Sequence, residues 1–266
     1  MLDENQARTQ LTDAIRMLDI PRPSKAVIEA FRRLVDLTGT ISDACDELGI
    51  VAVIPAYQLP PVNNGQRVVG PALTVRNIAR DVQIHKAAQE KINTQGETEA
   101  HNLAEPGDVL VLQGVMGCSN MGGQSATIAR RQGFIGAVVD ATVRDPDQYR
   151  SWDWPVWCRG FTPITGKWRM QTVEVNGTVE ICGVTVRAGD LVCADEAGIA
   201  FAQALDHRHV LLQRGLADLD CFGFGRRDVH HQADHGGPLR RVVPGNHVCQ
   251  QDELCSLRIL LSEGGR

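Results

Sequence analysis

The sequence predicts an α/β fold, and three features carry that reading. Residues 109–112 form an apolar strand, residues 114–123 a glycine-rich loop, residues 124–132 a helix and residues 134–140 a second apolar strand. That succession is a βαβ unit. Two segments, around Gly107-Asp108 and around Gly189-Asp190, place a Gly-Asp turn directly before an apolar strand. Finally, residues 172–175 and 178–181 alternate apolar and polar side chains around Asn176-Gly177, the turn pair of a β-hairpin.

The remaining elements follow along the chain. Residues 6–18 read as a polar helix stopped by Pro21 and Pro23. Over residues 25–37, Val27, Ile28, Phe31, Leu34 and Val35 recur at helical spacing and predict an amphipathic helix. A Ser or Thr among residues 38–42 is expected to cap a short helix closed by Gly49. Residues 68–76 read as a strand broken at Gly70-Pro71, and residues 83–91 as a helix. All four tryptophans fall between Trp152 and Trp168, where a packing wedge or a subunit contact outweighs a ligand cage. The chain therefore divides into an N-terminal helical segment (1–33), an α/β domain (34–205) and an irregular C-terminal extension (206–266).

Composition narrows the function classes. With 27 Lys+Arg against 32 Asp+Glu the formal net charge is -5, so no nucleic-acid partner is expected. The opening residues are acidic and polar, and no apolar run approaches membrane-span length, so the expectation is a cytoplasmic protein without a membrane partner. Its eight cysteines are then reduced thiols, and the absence of a CxxC pair weakens zinc-ribbon and thioredoxin readings. Asn176-Gly177-Thr178 is also a glycosylation triplet, but without a secretory signal the turn reading prevails. In the tail, His230, His231, His235 and Cys249 supply enough ligands for zinc at a spacing that matches no established pattern. His85 lies on a helix and reads as structural.

Two loops hold the candidate chemistry. Gly122-Gly123-Gln124-Ser125 opens a helix whose first N–H groups lack intrahelical partners, which suits a carboxylate or phosphate. The alternative is a plain strand-to-helix turn. Neither a GxGxxG nor a P-loop explains this stretch, since Gly166-Lys167 is followed by Trp168. Arg144-Asp145 follows the next strand. Arg144 offers a fork of donors to a carboxylate or enolate, and Asp145 a hard oxygen to Mg²⁺. Their alternative is a surface arginine beside a helix-capping aspartate ahead of Pro146. Both loops leave successive strands of one βαβ unit, where ligand crevices commonly form.

The order of these segments resembles the RraA-like family. The resemblance runs from about Leu34 to Gln203 through Thr40-Ile41-Ser42-Asp43, Gly70-Pro71-Ala72-Leu73, His85-Lys86-Ala87, Pro106-Gly107-Asp108, Gly122-Gly123, Val139-Asp140-Ala141-Thr142-Val143-Arg144-Asp145 and Pro155-Val156-Trp157. That family includes 4-hydroxy-4-methyl-2-oxoglutarate aldolases, oxaloacetate decarboxylases and regulators of ribonuclease E. The resemblance implies a swivelling β/β/α sandwich assembled as a homotrimer or homohexamer. It implies a lyase acting on a 2-oxo acid through a pyruvate enolate, with a divalent cation, Mg²⁺ or Mn²⁺, on Asp145. The substrate carboxylate then rests on Gly122, Gly123, Gln124 and Ser125, and Arg144 steadies the enolate. Family aldolases often carry acids where this chain has Gly123 and Gln148. The rival reading is a non-catalytic, protein-binding regulator, whose sequences lack the aspartate present here as Asp145. A third is a diverged lyase using the same enolate site on another substrate.

Overall fold

The computed structural model describes residues 13–202. Most of the helix expected over residues 6–18 lies outside them, and its described end is short. Helical geometry stops at Ala14, and Ile15 bridges in parallel to Val175. The histidines from His207 onward, with Cys221, Cys249 and Cys255, also lie outside the described residues, and the candidate zinc set with them.

The helix expected over residues 25–37 ends early, at Arg32. Ser24 caps α1 (Lys25–Arg32), its hydroxyl accepting from the Val27 N–H. Asp36 then opens α2 (Leu37–Leu48) by accepting from the Gly39 N–H, so the cap is an aspartate upstream of the expected Ser or Thr. Thr38 ties this start to the sheet region, its hydroxyl and N–H donating to Asp195 at 2.7 and 3.1 Å. Gly49 closes α2 with φ 64°, the left-handed cap its position foretold.

Strands β1 (Val53–Pro55), β2 (Val68–Ala79), β3 (Val109–Gln113), β4 (Gly136–Val143), β5 (Val156–Phe161), β6 (Met170–Val175), β7 (Thr178–Ile181), β8 (Val184–Arg187), β9 (Leu191–Ala194) and β10 (Gly198–Ala202) follow. The main sheet runs β1-β10-β9-β2-β3-β4-β5, with β6 beside β2 and β7-β8 as a separate ribbon. β2, β3, β4 and β5 are parallel, while β9 pairs antiparallel with β2, β10 with β9 and β1 with β10. The break expected at Gly70-Pro71 is absent. Instead the strand changes partner there, from β9 over residues 68–71 to β3 from Ala72. Gly70 is needed for close approach, because a Cβ would come 2.2 Å from the Gly107 carbonyl oxygen.

Alternation along β3 and β4 divides the core. Leu110, Leu112, Ala137 and Val139 face one side and pack with Ala126, Ala129, Tyr149 and Trp154. Val109, Val111 and Val138 face the other, against Val179, Ile181, Val186, Ile199 and Trp157. The layering is therefore strands, parallel sheet, helices: the β/β/α sandwich. The helical layer holds α5 (Gly123–Arg131) and α6 (Pro146–Ser151). Two further short helices precede β3, α3 (Ile84–Gln89), which carries an exposed His85, and α4 (Glu97–Ala100), which runs into a 3₁₀ turn at His101–Leu103.

The hairpin expected around Asn176-Gly177 does not form. A type I′ turn needs positive φ at both central residues, and only Asn176 has it, at 56°. β6 pairs instead with β2, Val175 opposite Val75, and β7 pairs with β8 through Cys182-Gly183, at φ 48° and 85°. The two Gly-Asp turns do match. Asp108 accepts from the Glu105 N–H and Asp190 from the Arg187 N–H, each three residues back. Trp154 and Trp157 are buried, their indole N–H groups donating to the carbonyls of Phe134 and Asp195. Among the described residues no helix is long and apolar enough to cross a membrane.

Candidate active site

The site forms where β3 and β4 end. Beyond β3 the chain loops through Gly114 to Gly122 before α5. Asn120, fully buried, is its anchor: its Oδ1 accepts from the Val115 N–H and its Nδ2 donates to the carbonyls of Val115 and Cys118. The loop is also bound to the end of β4, since the Asn120 N–H donates to Thr142 O at 2.9 Å and the Thr142 hydroxyl to Cys118 O at 2.8 Å. The Tyr149 hydroxyl and the Arg144 N–H both donate to Met121 O. A loop with this many internal bonds presents a preformed surface.

Gly122 takes the N-cap position of α5 in extended geometry, and Gly123, Gln124 and Ser125 are the first three helical residues. The Gly123 N–H donates to Asp145 Oδ2 at 2.9 Å. By position, the N–H groups of Gln124 and Ser125 have no intrahelical acceptor. Gly122 admits Arg144 and Asp145, because a Cβ there would lie 2.8 Å from Arg144 Nε and 3.1 Å from Asp145 Oδ2. Asp145 itself is in the left-handed region, φ 62° and ψ 45°, a conformation that Asp tolerates better than most side chains. This backbone twist turns its carboxylate toward α5 rather than onto its own helix, where it makes no cap. Arg144 Nε is 3.5 Å from Asp145 Oδ2, a partly exposed pair.

A cavity of about 350 Å³ opens beside these groups. Of the six residues expected from sequence, Gly122, Gln124, Ser125 and Arg144 line it. Gly123 and Asp145 adjoin it through their mutual hydrogen bond. Asp145 Oδ1 has no hydrogen-bond partner among the described residues, so a hard donor oxygen is free. No group of three or more His, Cys, Asp or Glu among the described residues could cage an ion. A single carboxylate is the most this site offers a cation, which suits only an ion that keeps most of its water shell, such as Mg²⁺.

Sequence reading missed part of the wall. Glu97, Lys167, Gln95 and Thr165 also line the cavity. Gly166-Lys167 was informative only as a failed P-loop, and Glu97 lies in a polar stretch without periodicity. Glu97 is only 4% exposed, and burial pushes its carboxyl up to about 7, opposed in part by the neighbouring Ser125 hydroxyl. Neither Glu97 Oε2 nor Ser125 Oγ has a well-formed hydrogen bond.

Gly123 shows how closely the two loops fit. A Cβ there would stand 1.6 Å from Gln148 Oε1, the movable end of a side chain. Gly123→Ala is therefore expected to cost about 1–3 kcal/mol of stability by overpacking, and Gln148→Ala in the same chain to recover most of it. Denaturant midpoints of the two single variants and the double variant measure the coupling. Purely additive costs would mean that Gln148 does not fill this space.

Comparison with known proteins agrees with the geometry. Residues 38–201 match the RraA-like model, described as Aldolase/RraA. Protein DlpA of Legionella pneumophila is 29% identical over 67% of this chain, although the match spans only 29% of DlpA's length. A putative 4-hydroxy-4-methyl-2-oxoglutarate aldolase of Halalkalibacterium halodurans is 30% identical over 65% of this chain and 76% of its own. The crystal structure of Streptomyces coelicolor RraAS2, an unusual member of the RNase ES inhibitor RraA protein family, superposes with a TM-score of 0.59 at 25% identity, over 76% of this chain and 93% of the other. With the helix start, the Arg-Asp pair and the layered sheet in the matched segment, the chain belongs to the RraA-like family.

Proposed function

We propose that the protein is a divalent-metal-dependent pyruvate aldolase. It would cleave a 4-hydroxy-2-oxo acid such as 4-hydroxy-4-methyl-2-oxoglutarate and decarboxylate oxaloacetate through the same enolate. The observation that carries this reading is that Gly122, Gln124, Ser125 and Arg144 line one cavity, while Asp145 lies beside them, against the Gly123 N–H and Arg144. Relatives named as putative aldolases at about 30% identity support the reaction class.

In this reading the free N–H groups of Gln124 and Ser125 receive the substrate carboxylate, favoured by the positive end of α5. Arg144 holds the 2-oxo oxygen, whose negative charge grows as the enolate forms, and so binds the transition state more tightly than the ground state. Asp145 Oδ1 would hold the cation, which supplies Lewis acidity toward that same oxygen when bound. Lys167 lies on the cavity wall and offers a charge partner to a second carboxylate. A dicarboxylic substrate thus suits the site better than a neutral one. Assembly as a trimer or hexamer belongs to the same proposal.

The test is pyruvate release from a panel of 4-hydroxy-2-oxo acids and oxaloacetate. Release is expected to stop with EDTA and to return with Mg²⁺ or Mn²⁺. Undiminished release in EDTA would refute the metal requirement. A chain that releases pyruvate from none of them would instead favour a regulator that binds protein partners.

A further inference from the structure

We propose that Glu97 is the proton-transfer residue of this cavity, taking the proton from the C4 hydroxyl as the C3–C4 bond breaks and returning it to C3 of the enolate. The assignment rests on the aldolase reading above. It starts from an anomaly of burial. Glu97 is 4% exposed, lines the cavity, and leaves Oε2 with no hydrogen-bond partner. Buried carboxyl oxygens in folded proteins are normally paired, and an unpaired one at a cavity wall signals a role that the fold itself does not require.

The proton count closes on one group. Glu97 as carboxylate removes the hydroxyl proton. The freed O–H pair forms the C4 carbonyl, the C3–C4 bond breaks, its pair becomes the C2–C3 double bond, and the C2 carbonyl pair moves onto its oxygen as the enolate. Glu97 as carboxylic acid then delivers the same proton to C3, giving pyruvate and leaving the carboxylate as it began. No oxidant, reductant or net proton is needed. A carboxyl raised to about 7 by desolvation is well placed for this, because both of its forms are populated near neutral pH.

The groups around it are compatible with a shuttle. Ser125, on α5, is the neighbour that favours the ionised form. Tyr149, on α6, is pushed far above its ordinary range and stays neutral. Arg144 and Lys167 bring positive charge to the same cavity, and Asp145 adds negative charge on the Arg144 side. His101, which follows α4 directly, is packed edge-on to Phe134 and held below its usual value, to about 4, so it is neutral too.

The experiment uses the full chain with Mg²⁺ and does not depend on knowing the aldol substrate. Exchange of the pyruvate C3 hydrogens with D₂O is followed by NMR, and oxalate, which resembles the enolate, reports binding by calorimetry. Wild type is expected to exchange the C3 hydrogens when Mg²⁺ is present. Glu97→Gln is expected to slow exchange by about 10²–10⁴-fold while oxalate affinity holds, and Glu97→Asp to recover part of the rate. Exchange in E97Q within a few-fold of wild type overturns the assignment alone. Loss of oxalate binding together with exchange also overturns it, since Glu97 would then shape the pocket. A wild-type chain that neither exchanges pyruvate nor cleaves any 2-oxo acid overturns the aldolase reading, and this assignment with it.

Discussion

Asp145→Asn is expected to lower pyruvate release by on the order of 10³-fold, since metal charge stabilisation contributes several kcal/mol and each 1.36 kcal/mol is tenfold in rate. The substitution is chosen so that little else changes. Asn tolerates the left-handed φ of 62° at this position, and its amide oxygen still accepts from the Gly123 N–H. The loop junction should therefore survive, and denaturant midpoints should stay close to wild type. What disappears is the negative charge, and with it a donor able to hold a hard cation. Titration of Mn²⁺ followed by electron paramagnetic resonance should show weakened binding in parallel with the lost rate. Wild-type turnover with unchanged metal affinity would place the cation elsewhere.

The second large effect is on stability and has an unusual sign. Glu97→Gln is expected to make the protein more stable than wild type at pH 8, by up to about 3 kcal/mol. Wild-type Glu97 titrates near 7 when folded but near 4.5 in an exposed chain, so the folded state binds more protons between those values. Stability therefore falls as pH rises from about 4.5 to about 7, and the cost persists above. His101 works in the opposite sense. Its folded value is near 4 against an ordinary 6.5, so stability is lost as pH falls from about 6.5 to about 4. In wild type the two slopes offset one another over the shared window. In E97Q the Glu97 slope is gone, so the advantage over wild type seen at pH 8 should vanish toward pH 4.5. Guanidinium midpoints across that range measure both arms. A less stable E97Q at pH 8 would mean that the carboxylate makes a bond the fold relies on. A site residue whose neutralisation stabilises the protein matches the usual conflict between function and stability.

Much of the architecture was legible because it depends on local chemistry. β3 and β4 read as apolar strands, and Gly107, Gly189 and Gly49 marked turns and a helix end that sit where glycine was needed. The failures have identifiable causes. Asn176-Gly177 carries the composition of a hairpin turn, but β2 offers β6 a longer edge and takes it, so the pairing is decided across 100 residues of chain. The amphipathic spacing over residues 25–37 is real, yet the helix ends at Arg32 and Asp36 caps a new one from Leu37, a boundary that the apolar spacing does not mark. At the site, the glycine loop and Arg144-Asp145 stand out by residue type. Glu97 and Lys167 do not, because nothing in a polar segment tells which side chain will be enclosed.

From its order of residues alone, this chain determined a βαβ unit, the two loops that leave it and membership in a family with a layered sheet. These follow from alternation, turn chemistry and motif order, which act over a few residues. The tertiary structure alone decided that the Asp145 carboxylate meets the Gly123 amide, that Gln148 fills the space beside it and that Glu97 is buried at the cavity wall. Those contacts join segments far apart in the chain. Their energetics depend on how much solvent the packing removes, a quantity that exists only once the layers have closed.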